Sequence, residues 1–202
     1  MTTGIAKQFS EVAFERYADD VLAHCSSLKQ AERVLEAIKT RLQQCRLLKT
    51  RIVYCKDVDR KGSHEHERFD FLGFTFRPRL CKNKWGKHFV NFLPAISDKA
   101  IKEIQKEVRS WRMSLRSDKS ITDLARMFNA QVQGWINYYG SFYKSAMVPF
   151  LKNIERILVR WAQRKYKRLR RHKTRAARWL GGIAKREPRL FAHWRLGIKS
   201  MA

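Results

Sequence analysis

The sequence predicts an α+β fold in two parts, a β-rich part with one helix followed by an all-α part. Two observations carry this. Apolar residues recur with period two along residues 69–93, and with period 3.6 after Pro94. The composition is that of a chain that folds: 44% hydrophobic and 12% aromatic, with only 9 Gly and 4 Pro in 202 residues. The change of period sets the expected division, residues 1–94 and residues 95–202.

The first element, Phe14 to Cys25 (FERYADDVLAHC), places apolar residues on both sides of an Asp-Asp pair and reads as a hairpin with an acidic tip. A helix is predicted from Ser27 to about Cys45, with Leu28, Ala31, Val34, Leu35, Ile38 and Leu42 on one face. Ser27 and Gln30 form a candidate capping box at its start. Thr50 to Cys55 (TRIVYC) is rich in β-branched and aromatic residues and is expected to be a strand. The polar stretch 56–67 reads as a loop. FDFLGFTFRPRL and HFVNFLP, joined by Asn83-Lys84-Trp85-Gly86-Lys87, read as an antiparallel hairpin over residues 69–93, with a bend at Gly73.

Ser97 is then the expected cap of a helix whose face is Ile101, Ile104, Val108, Trp111 and Leu115. Ser120 with Asp123 opens a second, through Leu124, Phe128, Trp135 and Tyr139. A third begins near Ser145, carries Leu151, Ile154, Leu158 and Trp161, and is expected to run on into RKYKRLRRHKTRAAR. Trp179, Phe191 and Trp194 follow among further basic residues.

Charge narrows the function. The chain has 44 Lys/Arg against 18 Asp/Glu, a formal net charge of +26. Residues 141–202 hold 18 basic and two acidic side chains, a net of +16, so the last third carries most of the excess. Such a field has no use in an ordinary metabolic enzyme and predicts a polyanionic partner, nucleic acid before membrane. No run of about 18 apolar residues is present, which predicts no membrane span. The N-terminus has no signal-peptide core. Cys25, Cys45, Cys55 and Cys81 match no zinc-ligand spacing. Scattered thiols without a leader predict a cytoplasmic protein.

Two groups of residues point to chemistry. Asp19 and Asp20 are adjacent carboxylates at a predicted hairpin tip, a pattern that a divalent cation such as Mg²⁺ relieves of its repulsion. The second group is the basic run: Arg160, Arg164, Lys165, Lys167, Arg168, Arg170, Arg171 and Lys173, continued by Arg175 and Arg178. At helical spacing this density leaves no neutral face, so phosphate contact is expected. Tyr166 interleaves with the charge and fits either base stacking or core packing, whereas Trp161 reads as core. His64-Glu65-His66 reads as a polar loop. Trp135, Tyr138 and Tyr139 fall at helical spacing and read as core.

The motifs resemble a known family. Arg16-Tyr17-Ala18-Asp19-Asp20 resembles the Tyr-x-Asp-Asp hairpin of reverse transcriptases, in the form found in the bacterial group II intron branch. Lys49-Thr50-Arg51-Ile52-Val53-Tyr54-Cys55 resembles that family's next palm strand. Phe71-Leu72-Gly73, within Phe69-Asp70-Phe71-Leu72-Gly73-Phe74, is similar to its primer grip. Gly134-Trp135-Ile136-Asn137-Tyr138-Tyr139-Gly140 is similar to the signature of its maturase-specific region. The resemblance covers residues 12–200 in the family's order. It implies a partial reverse-transcriptase palm followed by an all-α thumb and maturase region. It also implies Tyr17, Asp19 and Asp20 as catalytic residues, with Mg²⁺ on the two carboxylates once the active site is complete.

The resemblance departs in places. The family's further metal-binding Asp lies well upstream of Tyr-x-Asp-Asp, and only sixteen residues precede Tyr17. The turn at Gln44-Cys45-Arg46-Leu47-Leu48-Lys49 lacks the family's His-Pro pair and looks shortened. The isolated chain is therefore expected to lack polymerase activity and to bind group II intron RNA through its basic helices, in support of splicing and mobility. A DNA target and an upstream fingers/palm fragment are further implied partners. An RNA-directed DNA polymerase subunit completed in trans, and an inactive remnant, remain the alternatives.

Overall fold

The computed structural model describes residues 7–18, 20–42, 50–60 and 62–200. Strands and helices are both present, with β-structure confined to the first half, as an α+β chain requires. The chain divides into two compact units. The first comprises Met1–Phe71 with Arg77–Phe92, and the second comprises Leu72–Phe76 with Leu93–Ala202.

The first unit opens on the expected hairpin. Strands β1 (Ala13–Tyr17) and β2 (Asp20–His24) pair antiparallel in the register Tyr17↔Asp20, Glu15↔Leu22 and Ala13↔His24. Directly after β1, Ala18 takes a left-handed φ of 53°. Helix α1 (Leu28–Leu42) follows. Gln30 N–H donates to Ser27 Oγ at 3.2 Å, while Gln30 Oε1 accepts from Ser26 N–H at 2.7 Å. The reciprocal bond of the capping box has moved one residue upstream. Val34 joins Phe9 and Val12 in a small core, with Phe14, Ala23, Ala37 and Ile38 against it. Leu28 stays 61% exposed and is not part of the buried face. The end of the predicted helix, Cys45 included, and the shortened turn lie outside the described residues.

Thr50 to Cys55 is a correction. No strand forms among the described residues here. Tyr54 N–H donates to His66 O at 2.8 Å, Tyr54 O accepts from Lys56 N–H at 3.1 Å, and the Tyr54 ring lies tilted over His64 at 3.9 Å. β-propensity does not build a strand where no partner ladder is available.

Residues 69–96 form a three-stranded sheet of order β3-β4-β5 from Phe69–Phe71, Phe74–Lys82 and His88–Ile96. The single hairpin expected from the sequence is therefore two hairpins in series. Leu72 and Gly73 have φ of 49° and 76°, so the pair forms a tight two-residue turn rather than a bend.

The second unit holds the large core. Helix α2 (Asp98–Ser110) is capped by Ser97, whose side chain accepts from Ala100 N–H. Helix α3 (Ile121–Tyr139) has the predicted capping box: Ser120 Oγ accepts from Asp123 N–H at 3.1 Å, and Asp123 Oδ2 accepts from Ser120 N–H at 2.9 Å. These bonds to Ser120 hold the Asp123 carboxyl below its ordinary pKa. Helix α4 (Val148–Lys165) starts after a 3-10 turn and carries Pro149 in its first turn, where a missing N–H costs nothing. Helix α5 (Lys173–Arg186) follows, then a tail with a 3-10 turn at Ala192–Leu196. Ile104, Val108, Phe128, Leu151, Leu158, Trp161, Leu180 and Trp194 belong to one continuous core. No helix among the described residues is long and apolar enough to cross a membrane.

Candidate nucleic-acid interface

The basic region departs from the sequence expectation in shape. The run 160–173 is not one helix. Helix α4 ends at Lys165, Tyr166 is extended (φ −107°, ψ 113°), and Lys167–Leu169 make a 3-10 turn. Arg170 is extended again, Arg171 takes φ of 66°, and α5 begins at Lys173. The reason is packing. Leu169 is 2% exposed, and Ala176 and Leu180 are fully buried, so the elbow lets α5 fold back onto α4. Burying those side chains outweighs a straight helix whose neighbouring turns would crowd like charges.

The elbow is fixed from inside by aromatic rings. Trp161 is fully buried, and its Nε1–H donates to Arg116 O at 2.8 Å. Tyr166 packs 4.8 Å from Trp179 and edge-on to Trp161 at 6.1 Å. Tyr166 is half-buried in that cluster.

The cations stand outside. Arg160, Arg164, Lys167, Arg168, Arg170, Arg171, Lys173, Arg175 and Arg178 are all exposed. Lys165 is the exception among the predicted residues. It is half-buried, and its Nζ donates to Ser117 O at 2.8 Å. No ion pair among the described residues involves a cation between residues 152 and 178. Lys152 and Arg156 belong with this set, although the run singled out from the sequence starts at Arg160. With Arg160 and Arg164 they form an exposed i, i+4 stripe on α4, opposite Leu151, Ile154, Leu158 and Trp161. That spacing was the signal that could have found them. The stripe spans about 18 Å along the helix axis. Three successive like-charge i, i+4 pairs cost an isolated helix a few tenths of a kcal/mol each.

A buried acid lies behind this surface. Glu155 is 6% exposed. Its Oε2 accepts from Trp194 Nε1–H at 2.8 Å and meets His193 Nε2 at 3.0 Å, and its Oε1 accepts from Ser200 N–H at 2.7 Å. Burial works to raise its pKa, but the bonds from His193, Trp194 and Ser200 together outweigh burial and hold the carboxyl below its ordinary value. A carboxylate can only accept, so His193 carries its proton on Nε2. Its Nδ1 is buried with no partner. This cluster ties the tail to α4. Asn129 adds a second tie, donating to Leu190 O at 2.7 Å and accepting from Ala192 N–H at 3.0 Å.

Trp135 and Tyr139 of the 134–140 motif pack against the core as expected, whereas Tyr138 is 49% exposed. Trp135 stacks on Trp111 at 5.6 Å, and Trp111 stacks on Phe128 at 4.4 Å. Tyr138 Oη–H donates to Leu72 O at 2.9 Å, and both Tyr138 and Tyr139 lie against Phe74. Leu72 and Gly73 of the primer-grip-like motif are thus held by that motif. Phe71 ends β3.

Residues 101–179 match the family model for the group II intron, maturase-specific domain. The recognition made from the sequence is thereby borne out for the maturase region. The matched segment runs from within α2 to within α5 and includes the α4 stripe, the elbow and the 134–140 motif. No curated protein matches the chain.

The acidic hairpin lies outside the maturase-specific match. Tyr17 is 62% exposed, and Asp20 faces it in the register of β1 and β2. Asp19 lies outside the described residues. Among the described residues, no group of three or more His, Cys, Asp or Glu side chains is arranged to hold a metal ion. The expected Mg²⁺ pair, Asp19 with Asp20, falls partly outside the described residues. In the His64-Glu65-His66 loop, His64 and Glu65 are exposed and His66 is half-buried, 3.9 Å from Glu65. Burial pushes the thiols of Cys25 and Cys55 up, the direction opposite to an activated nucleophile.

Proposed function

We propose that the chain is a group II intron maturase-related protein that binds intron RNA through the α4 stripe and the elbow into α5, and so supports splicing. The observation that carries this reading is a continuous set of exposed, unpaired cations on a segment matched by the maturase-specific domain. Phosphate is the chemistry that such a surface recruits, and the resulting binding is salt-dependent. Rings at the elbow give it a fixed shape, which favours a folded RNA over bulk polyanion. The test is a splicing assay with an intron RNA at moderate Mg²⁺, with and without the chain. Faster splicing with the intact chain, lost with Arg168, Arg170 and Arg171 all changed to Ala, is expected. No effect of the intact chain on splicing, or binding no tighter to intron than to unrelated RNA, overturns the reading.

A second reading is favoured by the Tyr17–Asp20 turn. Here the hairpin is part of an RNA-directed DNA polymerase site completed by a separate fingers/palm chain, with Mg²⁺ on Asp19 and Asp20 and a DNA target as a further partner. Primer extension with Mg²⁺, with and without such a chain, tests it. Absence of extension in both arms sinks it.

A further inference from the structure

The hairpin β4–β5 carries an aromatic side chain where burial supplies no reason for one. Trp85 is 78% exposed, more than any other large hydrophobic side chain among the described residues. It stands at the tip of two nine-residue strands. The tip is built to hold one shape. Asn83 Oδ1 accepts from Trp85 N–H at 3.0 Å and from Lys87 N–H at 2.9 Å. Asn83 N–H donates to Lys87 O at 2.9 Å, and Gly86 N–H donates to Asn83 O at 3.0 Å. Gly86 takes φ of 86°, a conformation that a side chain would strain. Four hydrogen bonds therefore fix five residues whose only large apolar group points at solvent.

The charge around it is one-sided. From Phe71 to Ser97 the sequence has five Lys/Arg and no Asp or Glu. Three of the five, Lys82, Lys84 and Lys87, flank Trp85 and are exposed. Lys84 Nζ lies 4.4 Å from the Trp85 ring centroid, a cation–π contact. An exposed aromatic ring among lysines on a stiff support is the arrangement that stacks on a base while its neighbours meet the flanking phosphates. Because the turn is already ordered, little entropy is lost on docking.

The geometry points to a second RNA contact at this tip: Trp85 stacks on an unpaired nucleobase, and Lys82, Lys84 and Lys87 meet the phosphates beside it. The maturase-specific match, residues 101–179, does not include it. The inference rests on the RNA-binding reading above, but uses different residues and a different interaction. The elbow binds by charge, and the tip discriminates unpaired from paired RNA.

The experiment uses the full chain, with Trp85→Ala and Trp85→Phe. Each is titrated against three probes: a stem-loop RNA with unpaired purines, a blunt RNA duplex of equal charge, and vesicles of anionic phospholipid. Trp85→Ala is expected to weaken stem-loop binding about 10-fold, within the range measured for one base–aromatic stack. Trp85→Phe should recover most of that loss. Duplex binding should stay within about two-fold, and the salt slope of stem-loop binding should not change. Thermal unfolding should be unchanged in both variants, because the side chain is exposed. Unchanged stem-loop affinity in Trp85→Ala overturns the inference while leaving the elbow reading intact. Equal losses on stem-loop and duplex overturn it as well. Vesicle binding that depends on Trp85 without an RNA effect assigns the tip to a lipid surface instead. An intact chain that binds neither RNA overturns both readings.

Discussion

At the scale of single residues, Glu155 best shows how polar chemistry holds this molecule. One buried carboxylate accepts from His193, Trp194 and Ser200 and so fastens the tail to α4. Glu155→Ala leaves three donors without their acceptor and should cost about 3 kcal/mol in chemical denaturation. Glu155→Gln keeps one acceptor oxygen and should cost about 1–2 kcal/mol. The pH dependence has a definite sign. The folded carboxyl titrates below its unfolded value, so its contribution is full above the unfolded pKa and is lost as pH falls through the folded one. Glu155→Gln should remove that part of the acid-side loss, and an unchanged acid profile would contradict the assignment. The sequence shows Glu155 only as one of two acids among eighteen cations. Its partners lie 38–45 residues away, a distance that no local pattern reports. Gly73 is the opposite case, marked in the sequence as special and explained by the fold. Its φ is 76°, and an added Cβ would come within 2.9 Å of Tyr139 Oη. Gly73→Ala should therefore destabilise the chain by about 1–3 kcal/mol in the same measurement.

At the scale of elements, caps and faces were legible and endings were not. Ser97 and Ser120 open helices where the sequence puts them, because a cap is a local bond between residues three apart. The end of α4 is decided by the burial of Leu169 and the return of α5, which are tertiary events. The elbow is therefore the element that the sequence misread, and it bears on function. Arg171 holds φ of 66°, a conformation that costs a non-glycine residue about 1 kcal/mol. Arg171→Gly should relieve that cost and leave the chain as stable or more stable, while RNA affinity falls several-fold. Arg171→Ala should lose a similar amount of affinity without the gain in stability. Melting curves and RNA titrations on the same preparations separate the two effects. If Arg171→Gly binds RNA as tightly as the parent chain, the strained arginine is not at the interface. The segment 50–55 failed for the same general reason as the end of α4. Its composition suits a strand, but a strand exists only with a neighbour.

At the scale of the whole chain, the net charge of +26 on 202 residues is unevenly placed, and so is the apolar core. The second unit contains the extensive core, and among the described residues the first has the small cluster of Phe9, Val12 and Val34. Residues 72–76 belong with the second unit, where Phe74 is 7% exposed against Tyr138, Tyr139 and Phe142. Limited proteolysis followed by mass measurement should therefore leave a resistant fragment that begins upstream of Leu72. A resistant fragment beginning after Ile96 would contradict this placement of Phe74. The change of hydrophobic period near Pro94 made the helical half legible. It could not show that the Leu72-Gly73 turn and the first residues of β4 complete that half, because Phe74 lies more than 60 residues from the Tyr138, Tyr139 and Phe142 rings that pack on it.

The exposed cations of α4 and the elbow are proposed to grip RNA phosphates. The affinity of the full chain for a structured intron RNA, measured as a function of salt, tests this contact. With about six phosphates contacted, the plot of log affinity against log salt should have a slope of about −4. Changing Arg168, Arg170 and Arg171 together to Ala should make it shallower by about 2. A slope near zero, or one that the triple substitution leaves unchanged, would contradict the account.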